Sequence, residues 1–303
     1  MRRSWFSALV LVLVLAIVAT ACGGDGDGDG GPAATGQPGE SPAGEDLLAR
    51  IQEEGVIRVS TDPAYPPQSA LNDETGEFEG FDIDVATEIA NRLGVEVEWK
   101  TPSWNAITSG GWSDRWDMSV GSMTVTKERA EVLYFTPAYY STPASAAVHA
   151  DNTTFTDVAT DLDGGTIGVC GSCSYDFYLQ KNLHIQIPGY EFDYVIDDAD
   201  IKTYDTDTTA IRDLSLGDGV RLDAAISALP TLEQAIEDGE PIKILGDPLF
   251  YEPLAVAIDR QAPLDTTTLV DEVSRIVEEM HADGTLTELS MTWYGEDLTT
   301  SAA

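Results

Sequence analysis

The sequence predicts an α/β protein made of two successive series of strands and helices. Three observations carry the prediction. Short runs of strand-like residues, such as 56–60 and 95–99, alternate with amphipathic stretches. The clearest such stretch, 86–93, stops at Gly94, a good helix C-cap. The strand–helix rhythm that begins near residue 56 starts again near Ser145, and such a rhythm argues for parallel sheets.

In order, residues 56–60 form a short strand, and Pro63, Pro66 and Pro67 force a turn. Asp73, Glu74, Thr75 and Gly76 read as a hairpin tip feeding residues 78–81. Residues 80–85 read as a strand-like alternation that passes into the helix at 86–93. Val95, Val97 and Trp99 alternate as a strand, and 117–120 is a second, buried one. Thr126 then caps a helix carrying Arg129. In the second series, 166–169 is a strand, 174–181 a helix, 204–216 passes through another helix, and 222–227 is a strand. After the apolar run 254–258, Leu269, Val273, Ile276, Val277 and Met280 mark an amphipathic helix. A shorter helix around Leu286 and Leu289 runs to Trp293, Tyr294 and Gly295.

The N-terminus is an address. Met1-Arg2-Arg3, an apolar run over 9–18 and the small residues Ala19, Thr20 and Ala21 make residues 1–21 a secretory signal, too short to span a membrane by itself. Cys22 directly follows and resembles the bacterial lipobox, which implies lipidation of its thiol. Ala19 stands where that motif usually has a large aliphatic residue, and plain cleavage with release is the alternative. Residues 22–45 contain almost no large apolar residue and read as a flexible tether, with a reach of roughly 25–30 Å. The Asp-Gly run at 25–30 lacks the glutamate that a calcium loop would place at residue 36, which is Gly36.

Composition narrows the function. The 303 residues are 43% hydrophobic, as a globular body requires. With 53 acidic against 16 basic residues, the net charge is −37, which repels phosphate and excludes nucleic acid as a partner. Cys170 and Cys173 form a C-x-x-C without a thioredoxin βαβ context. A structural disulfide is one reading in an exported protein; free thiols and redox or metal function are the others. His149, His184 and His281 have no metal spacing, and no nucleophile elbow or phosphate loop occurs, so no metal or cofactor is expected.

Three segments carry a resemblance: Thr61-Asp62-Pro63-Ala64-Tyr65-Pro66-Pro67, Gly80-Phe81-Asp82-Ile83-Asp84-Val85, and Ser122-Met123-Thr124-Val125-Thr126-Lys127-Glu128-Arg129. Together they resemble the polar amino acid family of bacterial extracellular solute-binding proteins, over residues 55–297. The resemblance implies a periplasmic-binding-protein-like fold of two α/β lobes on a two-stranded hinge, with the ligand cleft between them. Lobe 1 would combine 46–143 with 254–303, and lobe 2 would be 144–253. It also implies a monomer, lipid-anchored to the outer face of the cell membrane or periplasmic. Its partners would be a small zwitterionic or carboxylate ligand and the permease and ATPase of an ABC importer.

The matching positions supply candidate ligand contacts. Arg129 would hold a carboxylate with two parallel charge-assisted hydrogen bonds. Gly121, Ser122 and Thr124 would offer backbone groups and hydroxyls. Cys173 and Ser174 lead into a helix whose N-terminus attracts anions, with Ser174 also a plain N-cap. Tyr65 and Trp104 would sandwich the ligand, and Asp62 would meet an amine or only shape its turn. One position departs from the pattern. Amino acid binders carry an aspartate for the ligand's ammonium where this chain has Ala228. An ectoine, betaine or opine-type solute is therefore one alternative to an amino acid. A cyclohexadienyl or prephenate-type dehydratase on the same fold is another, although no residue stands out as its acid or base.

Overall fold

The computed structural model describes residues 45–186 and 190–300. The expected signal at 1–21, the lipidated Cys22 and all but the last residue of the tether lie outside the described residues.

Helix α1 (Leu47–Glu54) starts at Asp46, whose carboxylate accepts from the Ala49 amide at 2.8 Å, and stops at left-handed Gly55. Strand β1 (Val56–Ser60) leads to a small antiparallel sheet of β2 (Ala64–Tyr65), β3 (Ser69–Leu71) and β4 (Phe78–Glu79). Helix α2 (Phe81–Leu93) begins immediately, so the alternation expected over 80–85 is helical instead. Gly80 is the reason. It sits at φ 132°, and a Cβ there would lie 2.3 Å from the Gln68 carbonyl oxygen, so the chain can turn into a helix beside β3 only at a glycine. Asp82 and Asp84 in the first turn suit the positive end of the helix dipole. Phe81, Val85 and Ile89, at four-residue spacing, bury one face completely.

Next come β5 (Glu96–Lys100), α3 (Trp104–Thr108), β6 (Met118–Thr124) and the short α4 (Lys127–Ala130). The Thr126 hydroxyl accepts from the Arg129 amide at 3.2 Å, which makes it the expected cap. Strand β7 (Leu133–His149) then runs for 17 residues. It is followed by α5 (Val158–Asp161), β8 (Thr166–Cys170), α6 (Ser174–Leu179), β9 (Asp200–Tyr204), α7 (Asp207–Leu214), β10 (Ala224–Ala228) and α8 (Leu229–Glu237). An 18-residue strand, β11 (Ile242–Asp259), leads into α9 (Thr267–Ala282) and α10 (Thr285–Tyr294).

Among the described residues one eight-stranded sheet has the order β5-β1-β6-β11-β7-β10-β8-β9. At one end β1 is parallel to β5 and β6, and at the other β8 is parallel to β9 and β10. The middle is antiparallel: β11 opposes both β6 and β7, and β10 opposes β7. The sheet is therefore mixed, not parallel as the rhythm alone suggested. Chain that leaves one half along β7 returns along β11, so the two long neighbours must run in opposite directions. Buried apolar side chains gather on either side of this join. One cluster takes Leu47 to Tyr140 together with Leu254 to Leu298; another lies between Ala144 and Phe250.

Candidate functional site

The ends of the shorter strands and the helices after them meet at a cavity with an empty volume of about 480 Å³, part of it open to solvent. Asp62, Tyr65, Trp104, Gly121, Ser122, Thr124, Arg129, Cys173 and Ser174, all singled out in the sequence, line it. The sequence reading missed Tyr175, Asp205, Thr206, Asp207 and Glu252, and it gave Cys170 no place at the cavity.

Arg129 is the one cation in this lining. Its α4 position suits a solvated surface residue paired with Glu128, yet it is only 4% exposed, and Glu128 bonds His184 at 2.8 Å instead. The guanidinium is held from two sides. Nη1 donates to the Thr124 carbonyl at 2.9 Å and Nη2 to the Ser172 carbonyl at 3.1 Å. It also stacks on Trp104, with Cζ 5.1 Å from the ring centroid. Trp104 Nε1 donates to the same Ser172 carbonyl at 3.2 Å, which fixes the ring beneath the cation. Arg129 Nε has no partner. Burial pulls the group down to about 10, and the nearby Glu252 charge works in the opposite direction.

Two hydroxyls expected to face a ligand are engaged by the protein. Thr124 Oγ1 donates to Glu252 Oε2 at 2.5 Å, and the Ser174 hydroxyl donates to the same oxygen. Ser174 is thus not the N-cap. Cys173 takes that position, and Ser174 is the first helical residue with its side chain turned to β11. Glu252 is 2% exposed and burial pushes its carboxyl up, against the pull of these hydroxyls. A lone acid inside the apolar run 249–256 was the signal that could have found it.

Ser122 is committed as well. Its hydroxyl donates to Asp82 Oδ2 at 2.7 Å, while its amide donates to the Tyr139 hydroxyl at 3.0 Å. Tyr139 in turn donates to Asp82 Oδ1 at 2.7 Å. Asp82 is fully buried behind the cavity wall, and burial raises its carboxyl to about 7 despite these two donors. The network holds Ser122 at φ 51°, a conformation a non-glycine residue adopts only under such constraint.

Across the cavity, the Tyr65 hydroxyl lies 3.3 Å from that of Tyr175. Asp62 does shape its turn, since Oδ1 accepts from the Ala64 amide at 2.8 Å, yet its side chain also reaches the cavity and burial raises it. Ala228 is fully buried and does not line the cavity. An acid does reach the cavity from beside this strand: Asp207, the first residue of α7, accepts from the Ser227 hydroxyl at 2.6 Å. Asp207 was hidden because the surrounding Thr-Asp-Thr-Thr reads as an ordinary helix start, and Thr206 indeed caps α7.

Cys170 and Cys173 are joined by a disulfide, with Cα atoms 5.7 Å apart. The bridge fixes the turn whose Ser172 carbonyl receives both Trp104 and Arg129. Replacing both cysteines by serine should lower stability by about 2 kcal/mol, the loop-closure entropy of so short a ring. Thermal melting of the two proteins checks this; equal midpoints would show that the bridge constrains nothing.

The sequence matches the family described as bacterial extracellular solute-binding proteins, family 3, over residues 57–296. It is 29% identical over 258 residues to the L-cystine-binding protein TcyJ of Escherichia coli, covering 85% of this chain and 89% of that protein. It is 24% identical over 250 residues to the L-arginine-binding protein of Pseudomonas aeruginosa, covering 80% and 89%. Among solved structures, the P235GK mutant of ArgBP from T. maritima superposes with a TM-score of 0.69 at 23% identity, covering 82% of this chain and 99% of that one. That likeness shows the two-lobed fold. The chain belongs to the bacterial extracellular solute-binding proteins of family 3.

Proposed function

We propose that this protein is the substrate-binding lipoprotein of an ABC importer, capturing a small amino acid or amino-acid-like zwitterion outside the cell and delivering it to the permease. One observation carries the reading: a buried guanidinium with an unpartnered Nε lines the cavity and has no carboxylate bonded to it. A desolvated cation in that position is costly until an anion arrives, and a ligand's acid group would supply one. The relatives named for L-cystine and L-arginine support an amino acid scaffold.

In this reading lobe 1 comprises 46–143 with 254–303, lobe 2 comprises 144–253, and β7 and β11 form the hinge on which the cavity closes. Cys22 carries the lipid that keeps the protein at the membrane; the mass of the mature N-terminal peptide tests that, and an unmodified cysteine counts against it. The protein performs no chemistry on its ligand, and turnover of prephenate or arogenate by the purified protein would overturn this.

A thermal-shift screen across amino acids, betaines, ectoines and opines identifies the solute. At a hundredfold excess over Kd the ligand should stabilise the fold by about 2.7 kcal/mol, raising Tm by roughly 5–10 °C. A panel that leaves Tm unchanged throughout contradicts the proposal.

A further inference from the structure

The cavity is lined by more acidic groups than its single guanidinium can balance. Asp62, Asp205, Asp207 and Glu252 line it against Arg129 alone. Of these, Glu252 lies in the field of Arg129 and already accepts two hydroxyls. Asp207 is different. Its side chain is bonded by one neutral hydroxyl, that of Ser227, and the residue is 8% exposed. A buried carboxylate with one neutral donor is an unfavourable arrangement unless something else completes it. The unpartnered Arg129 Nε, in a side chain 4% exposed on the same cavity, is an independent sign that the site awaits a group the protein does not supply.

One aromatic seat for a cation is already taken. The Trp104 ring already carries Arg129 on its face, and the Tyr65 hydroxyl is directed at Tyr175. A quaternary ammonium has no N–H to donate and would leave the buried carboxylates without a hydrogen bond. A nitrogen bearing N–H groups is well served by the two carboxylates.

Resting on the solute-binding reading above, we propose that Asp207, with Asp62 beside it, is the specificity-determining seat for a cationic N–H group of the ligand, an ammonium or an amidinium. The carboxylate that the strand end lacks at Ala228 is thereby supplied from the start of α7. Seated there, the ligand's cation neutralises a group that burial raises to about 7 and that Asp62 and Glu252 push in the same direction. Tyr65 and Tyr175 face the same charge.

Asp207→Asn keeps the shape and the acceptor for Ser227 and removes the charge. In the ligand-free protein it should raise Tm at pH 8 by roughly 3–8 °C and change it little at pH 4.5, because the uncompensated charge exists only at the higher pH. An aspartate needed only for structure gives the reverse, a lower Tm at pH 8, which overturns the proposal. Calorimetry at pH 8 with L-ornithine, L-glutamine and glycine betaine reads the ligand side. At least one of the first two should bind more tightly than glycine betaine, and Asp207→Asn should weaken that binding roughly 30-fold or more. Tighter binding of glycine betaine, or equal affinity in the variant, overturns the seat and leaves the solute-binding reading standing. If the wild type binds none of the three in calorimetry and none of the wider panel shifts its Tm, both fall together.

Discussion

Arg129→Ala should weaken solute binding by about 2–5 kcal/mol, roughly 30- to several-thousand-fold, while leaving the fold intact. The size follows from burial. The guanidinium lies at 4% exposure, and the acid group it would meet is desolvated with it, so the alanine variant leaves a buried ligand charge unanswered. The stacking on Trp104 and the two carbonyl contacts only orient the group; they do not neutralise it. Arg129→Lys should recover little, because a point charge cannot both hold the Thr124 and Ser172 carbonyls and present a fork to a carboxylate. Calorimetry with the solute found by thermal shift checks both variants. Unchanged affinity in the alanine variant removes Arg129 from the site.

The second large effect is on stability and depends on pH. Asp82 is fully buried and its carboxyl is raised to about 7 in the fold, against about 4 in the unfolded chain. Between those values the native state keeps a proton that the unfolded state has lost. The stabilisation is therefore complete below about pH 4, falls as the pH rises between about 4 and 7, and is gone above that. Its size is on the order of 4 kcal/mol, from about three units at 1.36 kcal/mol each. Asp82→Asn should abolish that slope, so that the wild type loses stability relative to the variant between pH 4 and pH 8. Urea denaturation of both proteins across this range measures the difference, and superimposable pH profiles would remove Asp82 as the source.

What the sequence made legible was mostly local. The α9 stripe of Leu269, Val273, Ile276, Val277 and Met280 is fully buried as its spacing demanded. Gly94 and Thr126 cap their helices through contacts within four residues. The nine residues singled out in the sequence all line one cavity, and five of them come from the motif segments at 61–67 and 122–129, which end at that wall. What stayed hidden depends on contacts between distant segments. Glu252 meets Thr124 across 128 positions of chain, and only the antiparallel passage of β11 beside β6 brings them together. Asp207 likewise finds Ser227 because α7 packs on β10. The extended reading of 80–85 failed for a similar reason, because the Gln68 carbonyl that demands a glycine at 80 comes from the turn between β2 and β3.

Those two distant contacts also alter the chemistry of the site. Thr124 and Ser174 offer their hydroxyls to Glu252, which leaves the acid end of a ligand to the remaining N–H groups of Arg129. The grip on the acid end is thus concentrated on one side chain.

A crystal structure of the protein with its solute, grown from the compound that raises Tm most, tests this directly. The solute should fill the cavity between the two halves, with an acid oxygen about 2.7–2.9 Å from the Arg129 guanidinium. Density for the solute at another place, or an Arg129 still bonded to the Thr124 and Ser172 carbonyls alone, would contradict it.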